Sequence, residues 1–429
     1  MMARALHPSR RVVITGLGVV SSTGMGRQAF WEAVRDARSG VRYITRFDAS
    51  QLYCRIAGEI RDDEFDPTDY MDRSEVKRSG RFVHFSVASA EHAIADAQLN
   101  IYSVPRARKG AIFGTSVAGS GNVTDDIYRR YYERGPKACG LLDHLEMAPH
   151  AATSRVMIRY EMKGPSSSVA TGCCSSLDAI QEGAAVLRSG AADVMVVGAS
   201  EAVVSQFGMS LLALINIMTR HNEDPEAAVR PFDATRDGIA VAEGGGAVVL
   251  ETAQHAMERG APIYAEVMGF GCATEGEHMA KAIPTGEELA AAIGQALEEA
   301  RLCATDIDYF CAHGIGNREY DAADMRSLKI VAGERAYSIP TSSIKGTTGQ
   351  PFAAGGAWQT TAACMTLQTG IIAPTRNYTT PDPQCDLDCV PNRARMARVD
   401  TVLVNSHSFG GTHSAMIIRR FDERAGSPH

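Results

Sequence analysis

The sequence predicts an α/β protein in which sheet and helix alternate in layers. Three observations carry that reading. Short apolar runs alternate with longer stretches of helical periodicity. The apolar runs are nearly continuous in Val and Ile, the pattern of strands buried on both faces. Most of them end in Gly or Ser, where the chain can turn. With 429 residues, the chain can form two or three domain-sized units or one large α/β body.

"RVVITGLGVV" opens the fold as a strand. Arg10 and Arg11 before it have the look of an export signal, but the apolar run is only about nine residues, is broken by Gly16 and Gly18, and has no A-x-A site after it. "GRFVHFSVASAEHAIADAQL" follows as a helix and "KGAIFGTSV" as a strand. "SSSVAT" is strand-like and leads into a tight turn and the helix "SSLDAIQEGAAVLRSG". "ADVMVVGAS" and "GGGAVVLET" are strands, "GEELAAAIGQALEEARL" a helix, and "IDYFCAHG" and "DTVLVNSHS" strands. Residues 40–80 and 125–150 are less regular and read as excursions from the layers.

The net charge of −7 and the lack of a Lys/Arg run argue against nucleic acid as the main partner. An acidic carrier docking on a local basic patch stays compatible with it. Ten cysteines are too sparse for a disulfide scaffold. Cys385 and Cys389 lie close, but no second Cys/His pair at zinc spacing accompanies them, so they read as thiols in a reducing cytosol and no metal is implied. No segment approaches the ~20 apolar residues of a membrane span. His84, His92, His221 and His255 read as surface or core residues.

"SVATGCCSSLDAIQEG" is the segment that points to chemistry. Its bland reading is two buried hydrophobic thiols. Its functional reading is a nucleophile on a strand–turn–helix junction, where the helix N-terminus lowers a thiol pKa and backbone N–H groups can hold an oxyanion. Cys173 falls on the turn itself. Cys174 falls in the first helical turn and points elsewhere, so physical reasoning prefers Cys173.

"GPSSSVATGCCSSLDAIQEGAAVLRSGAADVMVVGASEA" resembles the nucleophile segment of the β-ketoacyl-acyl-carrier-protein synthases, the condensing enzymes of fatty-acid and polyketide assembly. "RRVVITGLGVVSSTG", "RPFDATRDGIAVAEGGGAVVLE", "AHGIGNREYDAAD", "SSIKGTTGQPFAAGGA" and "NSHSFGGTHSAMIIRR" resemble further blocks of that family, in its order. The resemblance implies a thiolase fold of five αβαβα layers in two similar halves. Residues 1–255 would be the half with the nucleophile, and 256–429 the half with the His/Lys pair and the gating loops. It implies an acyltransferase that loads an acyl group on Cys173 from an acyl carrier protein. A decarboxylative condensation with a malonyl carrier would follow. His313 and Lys345 match the family's first histidine and its lysine, with Asp321 as ion partner of Lys345 and Asp324 in the supporting network. Phe409 matches the aromatic gate, its N–H forming the acyl oxyanion hole with that of Cys173. The phosphopantetheine arm arrives with the carrier or CoA and no other cofactor is implied. The implied assembly is a cytoplasmic homodimer, or a heterodimer with a related ketosynthase-like subunit. Met147–His150 would help shape a pocket at that interface.

Several positions depart from the family pattern. Gln350 replaces the second histidine. Ile315 and Asn317 replace the two threonines that bond the substrate arm. His407 and Ser408 replace a Phe and a Gly of the gate, and Gln359 replaces an acid. A Gln amide is still a donor, but losing a preorganised oxyanion donor costs ~2.7–4 kcal/mol. His407 swinging in as a substitute is a further possibility. Three readings follow: a divergent elongating synthase, a non-elongating acyltransferase, cyclase or hydrolase using acyl-Cys173, and a non-catalytic partner like the chain-length factors. The presence of Cys173 weighs against the third.

Overall fold

The computed structural model describes residues 10–423. The strands that matter here are β1 Val12–Ser21, β2 Lys109–Gly114, β3 Ser166–Val169, β4 Val194–Glu201, β5 Gly244–Thr252, β6 Ala265–Thr274, β7 Tyr309–Cys311, β8 Thr341–Ser342, β9 Thr401–His407 and β10 Thr412–Arg419. The helices are α1 Arg81–Asp96, α2 Asn122–Arg134, α3 Ser175–Arg188, α4 Gln206–Leu214, α5 Glu287–Ala300, α6 Arg318–Ala332 and α7 Gly355–Thr369.

The strands hydrogen-bond in the order β8-β7-β9-β10-β6-β1-β5-β4-β2-β3. An antiparallel seam joins β1 to β6. Counted outward from that seam, each half presents its first, fifth, fourth, second and third strand. The pairing senses repeat as well: the outer two pairs of each half are parallel and the rest antiparallel. The chain is therefore a topological duplication.

Side-chain alternation along the strands sets the layers. On β4, Met195 and Val197 join a central core with Leu177 and Ile180 of α3 and Trp358 of α7. Val194 and Val196 point the other way, to Phe82 and Phe85 of α1. On β9, Val402 and Val404 face the central core, while Leu403 meets Leu289 and Ile293 of α5 and Met325 of α6. The result is α1, sheet, α3 with α7, sheet, α5 with α6. Both faces of each strand are covered, which is why the strands read as unbroken apolar runs.

Helix α7 is buried from Gly355 to Leu367 and cannot rely on a polar face. Its threonines donate back to carbonyls four residues earlier, Thr360 to Gly356 at 2.7 Å and Thr361 to Ala357 at 3.0 Å. A Cβ at Gly356 would come within 2.6 Å of Leu177 Cγ, so glycine lets α7 and α3 touch.

The structure adds two elements to the sequence reading. Strand β6 has its apolar run interrupted by Glu266, Gly269 and Gly271. Glu266 is there to receive Arg11 in a two-point ion pair, both contacts 2.7 Å. A Cβ at Gly271 would lie 1.8 Å from the Ala292 carbonyl, so the glycines admit α5. Helix α2 occupies part of the stretch read as irregular. It is a polar helix that packs on the core through Val123 and Ile127, one turn apart.

Candidate active site

The ends of β3 and β7, the β9–β10 hairpin and the start of α3 converge on one buried point. After β3 the chain turns through Gly172, at φ +62°, into a short 3-10 turn of Gly172–Cys174 and then α3. Ser175 Oγ closes this turn, accepting from the Thr171 N–H at 3.1 Å and donating to the Gly172 carbonyl at 2.7 Å. A Cβ on Gly172 would lie 1.9 Å from Ser408 Oγ, so this position needs glycine for conformation and for space.

Cys173 sits on the turn, 5% exposed. Gln350 Nε2 donates to its Sγ at 3.3 Å. The expected low thiol pKa is not found. Burial pushes the thiol up to about 12, outweighing the Lys345 charge and the Gln350 hydrogen bond that act the other way. Cys174 points away, its Sγ directed at the Ser406 and Thr412 carbonyls at 3.3 and 3.4 Å.

His313 follows β7. Lys345 Nζ lies 3.2 Å from its Nδ1 and donates to its carbonyl at 2.5 Å and to Gln359 Oε1 at 3.1 Å. Burial, then the Lys345 charge, hold His313 well below the usual histidine range, so the ring is neutral. With Nδ1 facing a cationic donor, its proton resides on Nε2, which is buried with no partner. Burial also brings Lys345 down to about 8.

Gln359 explains its own identity. Its Nε2 donates to the carbonyls of Cys311, Ala312 and Asn405 at 3.1, 3.0 and 3.1 Å. A carboxylate there would face three carbonyl oxygens with no proton to offer.

The expected Lys345–Asp321 ion pair does not form. Asp321 instead pairs with Arg236 at 3.4 Å and accepts from the N–H groups of Phe232, Ile315 and Gly316 at 2.8, 2.9 and 3.1 Å. It pins the loop after His313. Burial raises it to about 6, against the pull of Arg236. Asp324 does sit in the network. It accepts from Gly314 N–H at 2.7 Å, Asn405 Nδ2 at 2.6 Å and His407 Nε2 at 2.8 Å.

The two substrate-arm positions diverge. Ile315 lines the cavity at Cys173. Asn317 caps α6, its Oδ1 accepting from the Glu319 and Tyr320 N–H groups at 3.0 and 3.3 Å, and does not line the cavity. Met147 also lies away from it, packed on the outer core beside α1.

The gate carries the largest surprise. The Cys173 N–H, expected in the oxyanion hole, donates to Ser408 Oγ at 3.1 Å. That N–H is thus already taken by this chain's own hydroxyl. His407 is fully buried and stacks on His313, ring centroids 5.2 Å apart. His413, opposite it in the β9–β10 register, meets it edge-on at 4.8 Å, its Nε2 3.2 Å from Glu275 Oε1. The sequence reading passed over His413 and Glu275. The signal for His413 was in "NSHSFGGTH", where a tight hairpin sets the two histidines face to face. Phe409 lines the cavity edge-on to Tyr320 at 6.4 Å. Cys173, His313, Gln350, His407 and Phe409 enclose about 10 Å³, room for about one water. The loop must move to admit an acyl chain.

Comparison with known proteins decides the family. Residues 9–256 match the N-terminal domain of β-ketoacyl synthases and 264–379 the C-terminal domain. The chain belongs to the β-ketoacyl synthase family. It is 39% identical, over 96% of its length and 98% of the relative's, to the tetracenomycin polyketide synthase ketoacyl synthase alpha subunit of Streptomyces glaucescens. It is 36% identical, over 96% and 99%, to 3-oxoacyl-[acyl-carrier-protein] synthase 2 of Coxiella burnetii. A type II polyketide ketosynthase solved in complex with its acyl-carrier protein and bound to a hexaketide superposes with TM-score 0.89 at 30% identity, over 96% of this chain and all of that one. The ishigamide ketosynthase/chain length factor matches with the same values. The duplicated five-layered α/β body is the thiolase fold of these synthases, and the chain is an acyltransferase of the condensing type.

Within this β-ketoacyl synthase, the cavity brings together the Cys173 thiol, the Gln350 amide that donates to it and the His313 ring. His313 Nε2–H and the Gln350 amide can both bond a thioester oxygen placed in the cavity.

Proposed function

We propose that this synthase takes an acyl group from an acyl carrier protein onto Cys173 and then performs a decarboxylative Claisen condensation with a malonyl carrier, in polyketide or fatty-acid assembly. The observation that carries this reading is the fixed tautomer of His313. Lys345 occupies its Nδ1 side, which leaves Nε2–H free beside the thiol, and Gln350 supplies a second N–H. Loss of carbon dioxide from a malonyl thioester leaves an enolate, and two preorganised donors stabilise its oxygen in a water-poor site. The enolate carbon attacks the acyl-Cys173 carbonyl, the C–S bond breaks and Cys173 leaves as the thiolate, which takes a proton from solvent. The phosphopantetheine arm comes with the carrier or CoA, and no other cofactor enters.

The partner proposed for loading is the acyl carrier protein. The proposed assembly is a dimer with a second copy or a related ketosynthase-like subunit. Phe207, Leu211 and Leu214 stand exposed on α4, beside exposed Tyr128, Tyr131 and Tyr132 of α2. A patch of that size is ordinarily covered. Among the described residues no helix is long and apolar enough to cross a membrane, and we place the protein in the cytoplasm. Incubation with an acyl donor and carboxyl-labelled malonyl carrier tests the function: Cys173 acylation with label release supports it, and acylation without release assigns a non-elongating acyltransferase.

A further inference from the structure

Three buried atoms at the cavity have no hydrogen-bond partner among the described residues: His313 Nε2, Gln350 Oε1 and His407 Nδ1. The first is a donor and is accounted for by the condensation. The other two are acceptors. A malonyl carboxylate placed beside them would meet lone pairs, not protons, and would gain nothing. Neither atom has a use in decarboxylation, which needs donors at an oxyanion.

His407 has the marks of a base. Its Nε2 bonds Asp324 Oδ1 at 2.8 Å, in a side-chain environment that is fully buried on both sides. Asp324 faces it as an acceptor, its oxygens also taking hydrogen bonds from Gly314 N–H and Asn405 Nδ2. His407 therefore donates through Nε2, and its Nδ1 is the ring nitrogen left without a partner. A carboxylate that holds one imidazole nitrogen and leaves the other free is the arrangement that orients a general base. His407 lines the same cavity as Cys173. His313, stacked against it, is held neutral, and His413, edge-on to it, is pushed down to about 3 by burial and by His407, so neither ring competes as a cation.

We infer that His407, oriented by Asp324, is a general base that discharges acyl-Cys173 onto an oxygen nucleophile, an alcohol or water. This rests on the acyl-Cys173 of the proposed function. The O–H proton passes to His407 Nδ1 as its oxygen bonds the thioester carbonyl. The C–S bond then breaks, Cys173 leaves as thiolate, and His407 returns the proton to it. The net reaction converts thioester and alcohol to ester and thiol, or thioester and water to acid and thiol, with no redox partner. When water is the nucleophile, Gln350 Oε1 would accept from its second O–H.

The test begins with the full chain loaded by hexanoyl-CoA, freed of excess donor and followed by intact mass, in buffer alone and in buffer with ethanol. Discharge should be about 10²-fold faster in the wild type than in His407→Phe and in His407→Gln, the scale of general-base catalysis. His407→Gln keeps an N–H for Asp324 and decides the matter if the Phe variant does not fold. Ethyl hexanoate identifies the alcohol as acceptor and hexanoate identifies water; either, with His407 dependence, supports the inference. Equal discharge in all three proteins overturns it while leaving the acyl-enzyme intact. No mass increment on Cys173 overturns the acyl-enzyme reading and this inference with it.

Discussion

Gln350 takes the place of a histidine, yet its Nε2 reaches the nucleophile at 3.3 Å. Gln350→His should therefore keep or raise condensation, measured as labelled carbon dioxide released per acylated enzyme; a fall to nothing would give the amide a role that an imidazole N–H cannot fill. Lys345, brought down to about 8 by burial, is a cation below that pH and a neutral amine above it. Only the cation firmly fixes the His313 tautomer. Condensation should fall as pH rises through about 8, and Lys345→Gln should lower the rate and flatten that limb of the profile. Ser408 Oγ takes the Cys173 N–H with a net hydrogen bond worth ~1 kcal/mol, so if that N–H serves the acyl oxygen, Ser408→Gly should speed Cys173 acylation by about fivefold. That Cys173, His313 and Lys345 lie together was legible in the sequence because each stands in a block that resembles the family's. The Lys345–Asp321 pair was misjudged because Arg236, distant in sequence, enters from another loop to take Asp321. The raised thiol pKa was not legible either, since burial of a turn residue depends on what covers it.

Loops and caps settle which positions can touch substrate. Asn317 sits where the family carries an arm-binding threonine, but its oxygen is committed to the first turn of α6. Asn317→Ala should cost about 1 kcal/mol of stability through the lost cap. It should change KM for the acyl carrier less than twofold; a larger rise would return Asn317 to the arm. The β9–β10 hairpin was readable as a strand and a gate. The facing of His407 and His413 across it was not, because register is a property of the pair of strands and not of either one. Strand β6 escaped notice for a related reason. Its glycines and Glu266 serve neighbours, α5 and Arg11, that the local sequence does not name.

The duplicated topology places one catalytic segment from each half against the other. Cys173 follows the third strand of the first half, and His313 follows the second strand of the second half. That sheet and helix alternate in layers was legible from the unbroken apolar runs, and the five layers in two similar halves came from the family resemblance; the strand order that realises the repeat was not legible, since the halves share pairing rather than spelling. The exposed apolar side chains of α4 predict an assembly. Leu214, 81% exposed, should tolerate Leu214→Asp without loss of fold and should shift the protein toward monomer in light scattering. An unchanged dimer would place the interface elsewhere. If a buried Cys173, served by His313 and Gln350, both accepts acyl groups and condenses them, one incubation with an acyl donor and carboxyl-labelled malonyl carrier shows it in intact mass and released label followed together. An acyl increment on Cys173 should appear, with label release that depends on it; release without that increment, or an acylated enzyme that never releases label, rules condensation on Cys173 out.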